Sequence, residues 1–397
     1  ALAGVRLKGD TLKLETYKLM KVCHITSGHS RYDARIFRKQ CRTLAQNGID
    51  TVLVCCDGKG EEKKDGVQIV SYSDHSLSKK ERFRLLFDNQ VFLKYLLSLD
   101  ADIYQFHELE LLEIGRLLKK NYRKVIFDSH ENWKEHILGL LPNVFLLQRI
   151  FRYLFDLYYG YVLKKFDAIF SVSPNMVNEL LKYNTNVYFV SNYPIINDTE
   201  EFIQSSFNTN TFVYAGTVYE FSNQLNITKA IQCIDYQSAS YLIIGNIDNK
   251  LKEAMLSFDN SHKLSFVSWI TPEDLRKRMS QCLAGMVLFD YVPFCCNREG
   301  QMGSNKIFEY MQIGLPVICT DFLLWEKLII DKYDCGISVS PNNLDEIVKA
   351  MKFLIENKSE AKRMGENGRF AVLNEFNWEK GVEEYLNNYY KIIANNI

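Results

Sequence analysis

From Lys21 onward the chain alternates short runs of β-branched and apolar residues with longer segments of helical period, and it does so twice, on either side of a polar stretch near 194–210. That alternation is the mark of parallel strands joined by crossover helices, because a parallel pair cannot be closed by a tight hairpin. Strand candidates in the first half lie at 22–26, 51–55, 67–72, 103–106, 125–129, 168–172 and 187–190. The pattern restarts at 211–214, 240–244, 264–267, 285–289 and 316–320, with helices expected at 224–233, 272–281 and 306–313. A length of 397 residues exceeds one ordinary core. The expected fold class is therefore α/β, with two doubly wound Rossmann-like domains facing across a cleft. Its expected boundaries are an extension outside the fold at 1–19, a first domain at 20–193, a linker at 194–210, a second domain at 211–374 and a C-terminal helix at 375–397.

In such sheets ligands sit beyond the carboxyl ends of the strands, so motifs there carry the most weight. The run Ser304-Asn305-Lys306-Ile307-Phe308-Glu309-Tyr310-Met311 reads as a helix leading through Gly314-Leu315-Pro316-Val317 into a strand. A helix N-terminus offers unpaired N–H groups and partial positive charge to a phosphate. Here it would follow Gly303 and Ser304, with Lys306 adding a full charge and Glu309, one turn on, accepting ribose hydroxyls. An amphipathic helix with Ile307, Phe308 and Met311 inward and Glu309 in solvent has the same pattern. Strand ends at Gly216-Thr217, Gly245 and Trp269 would line the same wall, with the N–H groups of Gly216 and Thr217 free.

In the first half, a small-residue turn holding Gly28 feeds a segment with Arg31, Arg35, Arg38 and Arg42, which on one helix would form i,i+4 pairs. Gly28 allows close backbone approach to a ligand, and forked guanidinium groups suit phosphate, although a basic solvated face reads the same way. No G-x-G-x-x-G follows, so a dinucleotide is not indicated. His107 and His130 stand at strand ends. There His130 can offer its imidazole or carbonyl to a substrate hydroxyl, oriented by Asp128 and Glu131.

Composition narrows the surroundings. Residues 1–193 hold 29 Lys and Arg against 22 Asp and Glu, leaving 19 against 26 in the remainder. A basic first half suits an anionic partner such as a phospholipid surface or a pyrophosphate-bearing lipid, although a chance imbalance of solvated surface gives the same counts. Residues 79–87 interleave basic and aromatic side chains, and 138–163 is rich in Leu, Phe and Tyr. Both fit an interfacial face or a helix packed into the core. The ten cysteines form no C-x-x-C pair, so they read as buried reduced thiols, and no metal is expected. No apolar run is long enough to span a bilayer and 1–19 lacks a signal-peptide pattern, so the expected location is cytoplasmic, with peripheral contact at the inner face of the plasma membrane.

With these residues in view, the chain from about Met20 onward resembles the retaining glycosyltransferases of family 4, of the two-domain GT-B architecture. The likeness rests on Arg31-Tyr32-Asp33-Ala34-Arg35-Ile36-Phe37, Asp128-Ser129-His130-Glu131, Tyr214-Ala215-Gly216-Thr217 and the Asn305–Met311 run with its Gly-Leu-Pro. It implies an acceptor-binding first domain, a nucleotide-sugar-binding second domain and a C-terminal helix crossing back to the first. By the same likeness Glu309 holds the donor ribose, Ser304 and its helix turn the diphosphate, and His130 the donor sugar.

Sequence and resemblance together give His130, Lys306 and Glu309 as catalytic. They give Gly28, Gly216, Thr217, Gly245, Trp269, Gln301, Gly303, Ser304, Asn305 and Glu309 as contacts to the nucleotide-sugar, and Arg31, Arg35 and His107 as acceptor or phosphate contacts. Two departures stand out. The position eight before Glu309 is Gln301 where many members have Glu, and the basic pair that often follows the Gly216 position is replaced by Thr217-Val218-Tyr219-Glu220, leaving Lys306 and Arg298 to meet the diphosphate.

The function this implies is retaining transfer of a sugar, of hexosyltransferase type, from a UDP- or GDP-linked donor to a lipid-linked or growing surface glycan, without a further cofactor and without nucleic acid as partner. Capsule, lipopolysaccharide or exopolysaccharide synthesis would use such a step. The alternatives are a non-catalytic partner subunit of another transferase and a nucleotide-sugar epimerase.

Overall fold

The computed structural model describes residues 20–130, 145–196, 207 and 209–394. They form two compact units: one comprises the described residues through Ser191 together with those from Gly381 onward, and the other is Asn192–Lys380.

The first unit is built on an eight-stranded sheet, β1 (Lys21–Ile25), β2 (Asp50–Cys55), β3 (Glu62–Lys64), β4 (Val67–Ser71), β5 (Ile103–Phe106), β6 (Lys124–Ser129), β7 (Ala168–Ser171) and β8 (Val187–Phe189). Its spatial order is β3-β4-β2-β1-β5-β6-β7-β8, and every pair is parallel except β3 with β4. Strand β3 was not expected. Its Glu-Lys-Lys sequence has no apolar alternation, and it exists as the outer arm of a hairpin closed by Asp65-Gly66, both at positive φ.

The period of two divides this sheet cleanly. Cys23, Ile25, Tyr104, Phe106, Val125, Phe127 and Ile169 point into one core with Leu93, Leu96, Leu112, Leu118, Val162 and Leu163 of helices Gln90–Ser98, Leu112–Lys120 and Phe145–Leu163. The residues between them, His24, Gln105, Asp128 and Phe170, face the opposite side, where they meet Arg35, Gln40 and the tyrosines of the last helix, Trp378–Ala394. The helix expected to carry Arg31 and Arg35 begins only at Ile36, as a π-helical turn (Ile36–Cys41) that runs into Arg42–Gln46. Asp33 Oδ1 starts it by accepting the N–H groups of Arg35 and Ile36 at 2.8 and 2.9 Å, so Arg31 sits in the preceding turn.

The second unit carries six strands, all parallel: β9 (Asn210–Ala215), β10 (Ala239–Ile244), β11 (Leu264–Val267), β12 (Ala284–Val287), β13 (Val317–Thr320) and β14 (Gly336–Val339), in the order β11-β10-β9-β12-β13-β14. The order reverses direction at β9, and the crossover between β12 and β13 contains the helix Asn305–Gln312. Strand β14 and the two long helices after it, Leu344–Glu356 and Lys358–Asn374, complete a core that includes Phe212, Val287, Phe308, Met311, Leu354 and Val372. Among the described residues no helix is long and apolar enough to cross a membrane. Eight cysteines are buried as expected, whereas Cys233 is exposed and Cys296 partly so.

Candidate active site

In the second unit the helix Asn305–Gln312 is fixed by Tyr310. Its ring fills the space beside Gly285 of β12, where a Cβ would lie 2.2 Å from Cδ2, and its hydroxyl takes the N–H of Ala215 at 2.8 Å. Lys306 is one turn earlier on the same face, which carries it past the end of β9 and over Gly216. There a Cβ would lie 2.9 Å from Lys306 Cε.

Gly216 and Gly245 both have positive φ, 118° and 135°, and a Cβ on Gly245 would lie 2.3 Å from the carbonyl oxygen of Gly216. The loops after β9 and β10 thus cross at a spacing only glycine permits. The N–H groups of Gly216 and Thr217, expected to be free, are not both so. The N–H of Gly216 donates to Ile244 and that of Gly245 to Val267, leaving Thr217 N–H as the one without a partner among the described residues.

Lys306 Nζ lies 5.5 Å from the centroid of the Tyr214 ring and 6.0 Å from that of Tyr219. No carboxylate is within ion-pair distance of it among the described residues. Burial therefore lowers its pKa, with Glu309 opposing. Glu309, half-buried and three residues on, makes no hydrogen bond to the described residues.

Around this cation other polar groups are unsatisfied. Ser304 is the N-cap residue but its hydroxyl does not cap the helix. Asn305 Oδ1 and Gln301 Oε1 are buried without a hydrogen-bond partner. A buried amide oxygen left unmade costs about 1–3 kcal/mol, so two at one helix start, beside an unpaired lysine and carboxylate, describe a place built for a polar ligand. Gly303 gives its carbonyl to Asn192 Nδ2 at 3.3 Å, and Gln301 gives its own to the indole of Trp325 at 2.8 Å, so the loop holding them is fixed from behind. Arg298 pairs with Asp321 at 2.9 Å. Trp269, 70% exposed after β11, makes no hydrogen bond or ring contact with the described residues.

The first unit contains a closed polar ring. Asp128, fully buried, receives Arg35 through Nε at 2.9 Å and Nη2, Gln40 Nε2 at 2.9 Å and His107 Nδ1 at 3.0 Å. His107 Nε2 meets His24 Nδ1 at 3.1 Å, His24 Nε2 meets the Tyr389 hydroxyl at 3.4 Å, Tyr389 donates to Gln105, and Gln105 Nε2 returns to Gln40 at 2.7 Å. Burial opposes ionisation of Asp128, but Arg35 and His107 override it and hold the carboxyl well below its usual range.

Three expectations change here. Arg35 also donates to the carbonyls of Val190 and Ser191, and Arg31 gives its fork to Asp57 at 2.7 and 2.8 Å and Nη1 to Glu62 at 3.1 Å, so neither fork is presented to a phosphate. His107 is enclosed with both ring nitrogens bound, so it cannot touch an acceptor. Gly28 does not meet a ligand through its amide, because the N–H groups of Ser27 and Gly28 are taken by the Glu108 carboxylate, each at 3.2 Å.

Burial would raise Glu108, but His29 and the Thr26 hydroxyl hold it at about 2. His130 donates Nδ1–H to the Asp128 carbonyl at 3.1 Å, and burial lowers its pKa to about 4 against the pull of Asp128, so the imidazole is neutral with a lone pair on Nε2. His107, Asp128 and His130 have ligand atoms within 4.8 Å of one another. With a guanidinium already seated on Asp128, the group reads as a hydrogen-bond network rather than a cation site. Glu131 lies outside the described residues.

Residues 34–192 match the family model described as Glycosyltransferase Family 4, and residues 197–370 match the one described as Glycosyl transferases group 1. The chain belongs to the family 4 glycosyltransferases. This glycosyltransferase is 32% identical over 82 residues to an uncharacterised glycosyltransferase of Methanocaldococcus jannaschii, a match spanning 21% of this chain and 21% of that relative.

Its GT-B fold is shared by the sucrose-phosphate synthase of Thermosynechococcus elongatus, with a TM-score of 0.75 at 14% identity over 95% of this chain and 100% of that one. A glycosyltransferase of Rickettsia africae gives 0.70 at 15% identity over 95% and 99%. Anabaena HepE, solved with UDP and glucose, gives 0.66 at 10% identity over 93% and 99%.

Sequence reasoning missed several residues that fix the loops and the polar ring around these groups. Glu108, Tyr310, Gln105 and Tyr389 bond to segments 65 or more positions away in the chain, and only the strand-end position of Glu108, next to His107, carried any signal.

Proposed function

We propose that the protein transfers a hexosyl group from a nucleoside-diphosphate sugar to a glycan acceptor, with the second unit holding the donor and the first the acceptor. The observation that carries this reading is the set of groups around one helix start that are unsatisfied among the described residues: Lys306 Nζ without a carboxylate, Gln301 Oε1 and Asn305 Oδ1 without donors, and, after β9, Thr217 N–H without an acceptor. Lys306 and the first N–H groups of the helix complement a diphosphate, Glu309 accepts the ribose hydroxyls, and the unpartnered amide oxygens of Gln301 and Asn305 accept from sugar hydroxyls. That HepE is solved with UDP and glucose supports a uridine diphosphate donor.

In the reaction the bond from the anomeric carbon to the diphosphate oxygen breaks, and its electron pair goes to the diphosphate. The acceptor oxygen bonds to the same carbon, and its proton passes to the departing diphosphate. Charge develops on the leaving group, where Lys306 and the helix dipole stabilise it without reorganising. Retention of configuration follows from proton transfer on the face the leaving group vacates. The neutral imidazole of His130 accepts a sugar hydroxyl through Nε2.

Thermal stabilisation by UDP, GDP, ADP and CMP tests the donor assignment. One diphosphate should raise the melting temperature, and Glu309→Ala should remove most of the rise. No shift with any of them would sink the reading. A lipid-linked or surface-glycan acceptor, and with it work at the inner face of a membrane, extends this proposal through the basic and aromatic segments of the first unit.

A further inference from the structure

Arg82 differs from the other arginines around the first strand. Arg31 and Arg35 are bound by internal carboxylates, whereas the Arg82 guanidinium makes no hydrogen bond to any described residue, and the carboxylate near it, Glu110, lies 3.6 Å from Nη1. It lies over Gly28, where a Cβ would lie 1.8 Å from Nη1, and its side chain is 28% exposed. The next residue, His29, touches the His130 ring at 5.1 Å between centroids. A guanidinium held only by one long ion pair therefore sits beside the residue before His29, whose ring touches the candidate catalytic His130.

The short helix that delivers it, Lys79–Arg84, turns a different face to solvent. Phe83 and Phe87, 61% and 77% exposed, pack edge to face at 5.7 Å, and Lys79, Lys80 and Arg84 are exposed around them.

We propose that this corner admits the acceptor, and that the acceptor is a lipid-linked glycan: its phosphate meets Arg82, and Phe83 and Phe87 enter the edge of the bilayer that holds its hydrocarbon chain. The inference rests on the reading that the first unit takes the acceptor. The guanidinium geometry matches phosphate in a bidentate fork, and an aromatic pair ringed by lysine and arginine is the composition of an interfacial contact with anionic lipid. Glu110, also held by Ser27 Oγ at 2.9 Å, is exchanged for the phosphate and left beside the sugar hydroxyls.

The test is co-sedimentation with phosphatidylcholine vesicles carrying a small fraction of polyprenyl diphosphate, beside vesicles matched in charge with phosphatidylglycerol. The wild type should bind the diphosphate vesicles at least about tenfold more tightly than the matched ones, and Arg82→Ala should remove about tenfold of that binding. Gly28→Ala is a second route to the same loss. The backbone there is not left-handed, and the atom its new methyl meets is the far end of a flexible side chain, so the fold is kept and Arg82 is displaced. Phe83→Ser with Phe87→Ser should lower binding to both kinds of vesicle.

Equal binding by wild type and Arg82→Ala, equal binding of wild type to both anionic vesicles, or no binding at all would each overturn the proposal. UDP stabilisation measured on the same samples keeps the two readings apart. If it is lost while selective vesicle binding stands, the donor assignment fails and this one does not.

Discussion

Replacing Lys306 by methionine separates stability from ligand binding. In the unliganded protein Lys306 is a desolvated cation with no carboxylate partner among the described residues, so removing its charge relieves a burial penalty. Against this stands the lost contact with Tyr214, about 0.5–1 kcal/mol for a ring at this distance. Because the folded-state pKa is lowered, the unfolded chain binds the proton more tightly, and the wild-type lysine works against folding at neutral pH. The net expectation is an unliganded stability close to wild type or above it.

Diphosphate binding behaves in the opposite way. A hydrogen bond to a charged group contributes about 1.5–3 kcal/mol, so the dissociation constant should rise roughly 10- to 150-fold. At a UDP concentration near a hundred times the wild-type constant, mass action stabilises the wild type by about 2.7 kcal/mol and the variant by about 0.3–1.4 kcal/mol. For a unit of this size that corresponds to a rise in melting temperature of about 5–11 °C against about 1–6 °C. Differential scanning fluorimetry with and without UDP reads both quantities. A variant that loses more than about 2 kcal/mol without ligand, or keeps the full UDP shift, would refute the argument.

Asp128→Asn should destabilise the protein by about 3–5 kcal/mol in urea titration, because it leaves Arg35 buried without its counter-charge. Asp128 and Glu108 both have depressed folded-state pKa values, so their stabilisation is complete above the unfolded carboxylate range near 4 and is lost as pH falls through the folded values, about 2 for Glu108. Unfolding midpoints should therefore drop steeply below about pH 4, and less steeply in Asp128→Asn. The His130 imidazole, lowered to about 4, should show neutral-form NMR shifts at pH 5.5, where a solvent-exposed histidine is mostly protonated. Gly245→Ala should give little folded protein by circular dichroism, since its methyl would meet the Gly216 carbonyl and its φ is left-handed.

How much could be read in advance followed the range of the interaction. Apolar strands such as 51–55, 103–106 and 317–320 were legible from composition alone, and so was the helix that carries Lys306, because its signals lie within a few residues of each other. Strand β3 was not, since a charged edge strand owes its existence to its neighbour. The arginines misled for a related reason. Their spacing suggested phosphate, but Arg35 meets Asp128 from 93 positions away, and a linear pattern shows neither the partner nor its burial. Gly28 was singled out as a place where the backbone could approach a ligand closely, whereas what lies over it in this structure is the Arg82 side chain.

The last helix of the chain supplies Tyr385 and Tyr389 to a polar ring whose other members lie between His24 and Asp128. Synthesis runs from the amino end, so the sheet made first is also the one finished last. Asn192–Lys380 is continuous in sequence and has every element of its core as soon as it is made, while His24, Gln105 and Asp128 wait on the ribosome for a helix some 250 residues behind Asp128. A chain released before Gly381 would hold one finished unit and one whose buried charges stand open on a sheet face, which gives quality control a defined signal in truncated products.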